Sequence, residues 1–111
     1  MELTLEQALQ KGVEAHKAGK VQEADQYYTA ILQAQPKHPD ANHNLGVLAV
    51  AVGKYQDAVP LFKLALDANP RIEQFWLSYI EALLKVERLD DAKQALTAGA
   101  RYGVSDGKLD A

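Results

Sequence analysis

Apolar residues recur every three to four positions along most of the chain, which is the spacing of one face of a helix. In the central stretch, residues 39–72, Gly53 separates two such segments and suits the left-handed conformation that ends many helices. Pro39 favours a helix start, and Pro70 a stop, because the residue before a proline is pushed out of the helical region. The pattern predicts a helical hairpin, with Pro60 bending the second helix slightly rather than breaking it.

The same pattern recurs when the chain is shifted by 34 residues. The first two units align at Gly12/Gly46, Gly19/Gly53, Ala24/Ala58, Tyr28/Phe62, Leu32/Leu66 and Pro36/Pro70, and a further shift places Ala92 under Ala58 and Leu96 under Phe62. A single hairpin cannot bury its apolar face alone, so neighbouring units must stack. We therefore predict one domain over 1–111, with hairpins at about 5–38, 39–72 and 73–106 and a tail at 107–111.

This period and these residues resemble the tetratricopeptide repeat (TPR) family. The middle unit carries the family's pattern at Leu45, Gly46, Ala58, Phe62, Ala65 and Pro70. Asn42 stands where the family has its opening tryptophan. The third unit keeps Trp76, but Ile80, Glu87 and Val104 replace the small residue, the turn glycine and the closing proline. The resemblance implies an all-α solenoid of three hairpins in a right-handed superhelical stack. We expect Ile80 to hold the third helix pair further apart, with Gly99 yielding room.

Composition excludes several function classes. The net charge is −3 without a basic cluster, which argues against nucleic-acid binding. The chain has no cysteine, so it has neither a disulfide framework nor a thiolate metal site. Its first ten residues, MELTLEQALQ, lack the basic start and apolar core of a signal peptide, and no stretch approaches the length of a membrane span, so we expect a cytoplasmic protein. Thr4 and Gln7 form a helix capping box.

Catalytic and metal chemistry find little support in the sequence. His38 and His43 flank Asp40, but they are five residues apart, which is not the spacing of helical metal ligands. We interpret His38 as a solvated turn residue and His43 as facing a groove. Ser78 has no histidine near it in the chain, and no phosphate-binding loop or nucleophile motif occurs. We predict no catalytic residue, no cofactor and no metal.

The resemblance implies a binding surface on the concave side, lined by the first helix of each hairpin. By the 34-residue period these residues are Glu6, Leu9, Val13, His16 and Lys17, then Asp40, His43, Asn44, Val47 and Val50, and finally Gln74, Leu77, Ser78, Glu81, Leu84 and Lys85. They predict an apolar channel with polar rims for an extended or helical protein segment. Alternatively, the apolar members are the inner core of a tightly wound stack.

One specificity known in the family is absent here. The carboxylate clamp of TPR co-chaperones holds acidic C-termini with lysine, arginine and asparagine side chains. The corresponding positions in this chain are Leu9, Val13, Asn44, Gln74 and Ser78, of which only Asn44 fits. Without a cation, an acidic tail would lose its hydration and gain no partner.

The first two repeats also resemble a leader on larger bacterial proteins, ahead of a glycosyl-, sulfo- or methyltransferase domain. The similar segments are EAHKAG at 14–19 and PKHPDA at 36–41. Our leading hypothesis is a non-catalytic protein-interaction module or scaffold. The alternative is such a leader, which would hold or present an acceptor.

The third repeat would leave its outer face uncovered, since the segment after its second helix, GVSDGKLDA at 103–111, is too short and too polar to cover it. We therefore expect either that the natural chain continues past Ala111 or that two copies pair through the third repeat. The homodimer would use residues around Leu83, Leu96 and Tyr102, and would be symmetric about a two-fold axis.

Overall fold

The computed structural model describes residues 3–104, which contain six α-helices and no strand. The helices pair into three consecutive hairpins, which confirms the predicted all-α repeat solenoid. The middle hairpin has one helix before Gly53 and one after it, and the second runs unbroken through Pro60. The helices are α1 (Leu5–Lys17), α2 (Val21–Ala34), α3 (Pro39–Ala51), α4 (Tyr55–Ala68), α5 (Glu73–Lys85) and α6 (Leu89–Ala100).

Two side chains satisfy backbone groups at helix starts. At α1 the predicted capping box is present: Thr4 Oγ1 accepts from the Gln7 amide, and the Gln7 side chain accepts from the Thr4 amide, both at 3.0 Å. At α3 the structure gives a further role to His38, which we interpreted as a solvated turn residue. His38 is half-buried, and its Nδ1 accepts from the Ala41 amide at 3.1 Å, so it caps the helix.

The turns inside the hairpins share one backbone geometry. Gly19 and Gly53 have φ angles of 78° and 81°, and Glu87, at the equivalent position, has 61°. After each, an amide returns to a carbonyl five residues earlier, as from Lys54 to Ala49 at 2.8 Å. The third turn therefore keeps the left-handed conformation without a glycine, which is unfavourable for a residue with a Cβ.

Glycines in α1 and α3 allow close packing against an aromatic ring of the partner helix. A Cβ built on Gly46 would lie 2.5 Å from Phe62 Cε1, and one on Gly12 would lie 2.5 Å from Tyr28 Cε1. The third hairpin replaces this arrangement with Ile80, which is buried, and the smaller Leu96. In the third hairpin, therefore, the first helix carries a larger side chain and the second helix a smaller one than in the other two hairpins.

Gly99 was expected to make room for Ile80, but the side chains beside it are those of Trp76 and Val104. The space left by its missing Cβ is filled by Trp76, whose Cε3 would lie 3.2 Å from such an atom, and by Val104. The Trp76 Nε1 donates to the Pro70 carbonyl at 2.7 Å. The equivalent residue Asn42 is also buried, and its Nδ2 donates to the carbonyl of Pro36 at 3.1 Å, 34 residues before Pro70. Asparagine thus replaces the hydrogen bond of the family's tryptophan, though not its volume.

The third hairpin ends differently from the first two. Gly103, with a φ of 92°, turns the chain so that the Val104 amide donates to the Gly99 carbonyl at 3.2 Å. Val104 thereby joins the core around Trp76. The predicted tail at 107–111 lies outside the described residues.

The homodimer stays a prediction, but one of its three proposed interface residues must be withdrawn. Leu83 is 0% exposed and belongs to the core of the third repeat, so it cannot contact a second copy. Leu96 is half-buried, and Tyr102 is exposed, with its ring stacked on Trp76 at 5.7 Å between centroids.

The hairpins stack along an axis, so that the described chain measures 44 × 25 × 21 Å. The first helix of each hairpin packs beside the first helix of the next, in the order α1, α3, α5. The principal helix contacts lie within each hairpin and between neighbouring hairpins, as expected for a solenoid. None of the six helices is long and apolar enough to span a bilayer. This arrangement places the predicted groove residues on three adjacent helices.

Candidate functional site

The predicted groove residues lie along α1, α3 and α5 and differ in how far they are buried. Nearly all of the apolar ones are half-buried, while Leu84 is 46% exposed. Leu9, Val47, Val50 and Leu77 pack against core clusters with part of their surface. The same side chains support the core and retain open surface, so both alternatives drawn from the sequence stay predictions. The half-buried members are Leu9, Val13, His16, His43, Asn44, Val47, Val50 and Leu77.

An apolar pocket of about 250 Å³ opens between α3 and α5. Its walls come from three helices, and it brings together Val47, Val50, Ser78, Glu81 and Lys85 from the predicted groove with Tyr55, Phe62 and Ala82. Phe62 and Ala82 are buried core residues that form its base. Tyr55 begins α4, and the tight turn at Gly53 returns it beside the end of α3. The pocket thus joins residues of the predicted groove to residues of the core.

Two charged side chains of α5 border this pocket in different ways. Lys85 Nζ lies over the Tyr55 ring, 5.8 Å from its centroid, which is within the range of a cation–π contact. Glu81, four residues earlier, is exposed. Among residues 3–104 the ion pairs are Lys20–Glu23, Lys63–Asp67 and Arg88–Asp91, and none includes Glu81. A carboxylate without a cationic partner therefore stands at the pocket mouth.

A polar network connects α3 to α5 at the side of the pocket. His43 Nε2 lies 2.8 Å from Ser78 Oγ, and the Gln74 side-chain amide donates to the same oxygen at 3.2 Å. The His43 ring also packs against Phe62 and Phe75, with centroids 5.3 and 4.8 Å away. Because Ser78 Oγ accepts from Gln74, its hydroxyl proton is available to the unprotonated nitrogen of His43. The network fits a neutral imidazole.

Burial of the His43 ring also favours the neutral imidazole. Desolvation lowers the pKa of His43 below its usual 6.5, and a hydrogen bond from Asn44 and the charge of Asp40 offset this only in part. On the first repeat, burial raises the pKa of Tyr28, again with Asn44 opposing the shift. Burial therefore favours the neutral form of His43.

A serine hydroxyl on an imidazole is also the pairing that activates catalytic serines. Here Ser78 is 8% exposed and its oxygen is held by Gln74, so the bond serves to join two repeats. The described residues contain no group of three or more histidine or carboxylate side chains placed to hold a metal ion. The arrangement offers apolar contact, hydrogen bonding and one free carboxylate.

The fold does not bring all predicted groove residues into one site. Leu9, Val13 and His16 lie on α1, and Leu84 lies on α5, but none of them lines the pocket. Sequence analysis missed Tyr55, Phe62 and Ala82 as pocket residues. Phe62 and Ala82 carried only a core signal, and Tyr55 could have been found from its position directly after the turn.

Many solved structures share this fold. MamA MSR-1 matches with a TM-score of 0.80 and 26% identity, over 96% of this chain and 62% of that chain. The second TPR of Spaghetti (RPAP3), bound to the HSP90 peptide SRMEEVD, matches at 0.78 and 18% identity, over 88% and 91%. The Thermobaculum terrenum O-GlcNAc transferase matches at 0.78 and 20% identity, over 93% and 21%. The last two likenesses show the fold alone, and the chain spans about 60% of the MamA chains.

Sequence comparison gives the family directly. No curated protein sequence matches the chain. Two family models, both described as tetratricopeptide repeat, match residues 9–71 and 49–109, and each covers more than half of the chain. They overlap in the middle hairpin, where the residue pattern is most regular. Together with the three stacked hairpins, these matches show that the chain belongs to the tetratricopeptide repeat family.

Proposed function

We propose that this protein is a non-catalytic interaction module whose concave face, formed by α1, α3 and α5, binds a segment of a partner protein. Repeats of this family generally serve protein interaction rather than catalysis. The observation that carries the proposal is the apolar pocket between α3 and α5, which lies among residues assigned to a groove from their repeat positions. Two of the solved relatives are TPR domains with a bound peptide.

The physical support comes from the half-buried apolar side chains of this face. Val47 and Val50 are fixed by the core on one side and open to the pocket on the other. Such residues lose little conformational entropy when a partner covers them, so the apolar area that becomes buried contributes to affinity with a small opposing cost. The surrounding polar residues would accept the backbone or polar groups of an extended segment.

A display selection with random peptides tests this function. The intact chain is the bait, and each enriched peptide is measured against Val47→Glu and Leu77→Glu by fluorescence anisotropy. We expect both changes to abolish binding, because each places a carboxylate in an apolar contact surface. Val52→Glu is the matched control, since Val52 is 52% exposed at the end of α3 and does not line the pocket.

Circular dichroism of each variant separates loss of binding from loss of fold. Peptides that bind the folded Val47→Glu and Leu77→Glu variants as well as the parent would contradict the proposal. The transferase-leader alternative is not proposed, because the likeness to the O-GlcNAc transferase, at 20% identity, extends only to the repeat fold.

A further inference from the structure

We propose that the pocket between α3 and α5 takes one large apolar side chain of the partner segment, and that Glu81 selects a lysine or arginine beside it. This inference rests on the groove function proposed above and specifies the chemistry of the partner. It is carried by the size of the pocket, by the nature of its walls and by the charges at its mouth.

The volume indicates a side chain rather than a free small molecule. Sites for drug-sized ligands run from roughly 300 to 1,000 Å³. An apolar cavity of about 150 Å³ in another protein holds benzene. The present pocket, about 250 Å³, lies between these values and suits an aliphatic or aromatic side chain that remains attached to a chain outside.

The walls indicate that this side chain is apolar. Val47, Val50, Phe62 and Ala82 provide carbon surface, and Ser78, the polar group on the inner side, is already bonded to His43 and Gln74. On this inner side a polar side chain would lose its water and find the Ser78 hydroxyl already bonded. Leucine, isoleucine, methionine or phenylalanine would lose no hydrogen bond there and would bury apolar surface.

The charged residues at the mouth of the pocket indicate the charge of the partner residue next to the apolar side chain. Glu81 and Lys85 have the i, i+4 spacing at which opposite charges often pair on a helix. In this structure the Lys85 ammonium group lies over the Tyr55 ring, and the ion pairs of residues 3–104 do not include Glu81. The Glu81 carboxylate is therefore available to a cation from outside. A partner carboxylate at the same point would be repelled.

The peptides enriched by the intact chain test this inference directly. We expect them to share a large apolar residue with lysine or arginine one or two positions away. Replacing the apolar residue by alanine should weaken binding on the order of tenfold or more. Glu81→Gln should weaken it roughly two- to fivefold, the range of an exposed ion pair, and should reduce its dependence on salt.

A charge exchange makes the assignment specific. Peptides in which the basic residue is replaced by glutamate should bind Glu81→Lys better than they bind the parent. Glu14→Lys makes the same change of charge at an exposed position of α1 that does not line the pocket, and it should not produce this gain. Val50→Phe should fill the pocket and remove the preference for a large apolar residue, with its fold checked by circular dichroism.

The outcomes distinguish this inference from the function on which it rests. Suppose that enriched peptides are blocked by Val47→Glu but share no apolar residue, or respond equally to Glu81→Lys and Glu14→Lys. The groove function then stands, and the pocket assignment is overturned. Peptides insensitive to both Val47→Glu and Leu77→Glu, or no enrichment at all, would overturn both.

Discussion

Gly46 is the residue where a single methyl group matters most for the middle hairpin. A Cβ there would meet the Phe62 ring at 2.5 Å, far inside normal contact distance. We expect Gly46→Ala to lower the free energy of unfolding by about 1–3 kcal/mol, because the ring or the helix must shift. Chemical denaturation of the purified variant measures this. The third repeat suggests the compensation, since Ile80 there faces a leucine position.

A double-mutant cycle therefore provides the control. Phe62→Leu alone should destabilise the protein through the space it leaves, while Gly46→Ala combined with Phe62→Leu should cost less than the sum of the two. Residues in contact typically couple by about 0.5–3 kcal/mol. Strict additivity of the two changes would show that Gly46 and Phe62 do not limit each other.

Glu87 is the residue where glycine would be an improvement. Its φ of 61° is a left-handed conformation that costs a residue with a Cβ on the order of 1–2 kcal/mol, and glycine occupies both equivalent turns. We expect Glu87→Gly to raise the free energy of unfolding by roughly 0.5–1 kcal/mol, because the greater freedom of glycine in the unfolded chain offsets part of the relief.

Thermal unfolding monitored by circular dichroism checks this prediction. Glu87→Ala is the control, because it removes the same charge without removing the Cβ and should give no gain. Equal stabilisation by alanine and glycine would assign the effect to charge rather than to backbone strain.

At the scale of the helices, the contact between α3 and α5 depends on pH through His43. Burial lowers the pKa of His43 in the folded chain, so the unfolded chain binds more protons once the pH falls to about 6.5. Stability is therefore fully present above that pH and is lost as the pH falls towards the folded-state pKa. Denaturation at a series of pH values between neutrality and the carboxylate range should show this decline.

His43→Gln should flatten that profile, since glutamine can bond Ser78 but does not titrate. His16→Gln is the matched control, because His16 lies on the same face without a serine partner among the described hydrogen bonds, and it should leave the decline unchanged. A profile that His43→Gln does not alter would contradict the network as described.

Element boundaries could be predicted well from the sequence because glycine, proline and the 34-residue period act locally. The turns at Gly19 and Gly53 and the cap at Thr4 follow from properties of the residues themselves. The contact between His43 and Ser78 could not be predicted, since it depends on the rotation of α3 against α5 over 35 residues of chain. The contact of Lys85 with the Tyr55 ring, in place of an ion pair with Glu81, likewise depends on how the helices pack.

At the scale of the whole molecule, partner choice should differ from that of TPR domains that hold acidic C-termini. The positions where such domains carry cations are here Leu9, which is half-buried and apolar, and Gln74 and Ser78, which bond each other. We expect the peptide SRMEEVD to bind no better than a scrambled version, as measured by isothermal titration calorimetry. Micromolar binding that Asn44→Ala removes would refute this.

The central claim is that partners bind the concave face formed by α1, α3 and α5. Nuclear magnetic resonance locates binding residue by residue, by following backbone amide shifts as an enriched peptide is added. The account predicts that the largest shifts fall in α3 and α5, around Val47, Val50 and Glu81, with smaller ones in α1. Shifts confined to α2, α4 and α6 would place the partner on the opposite face and contradict the account.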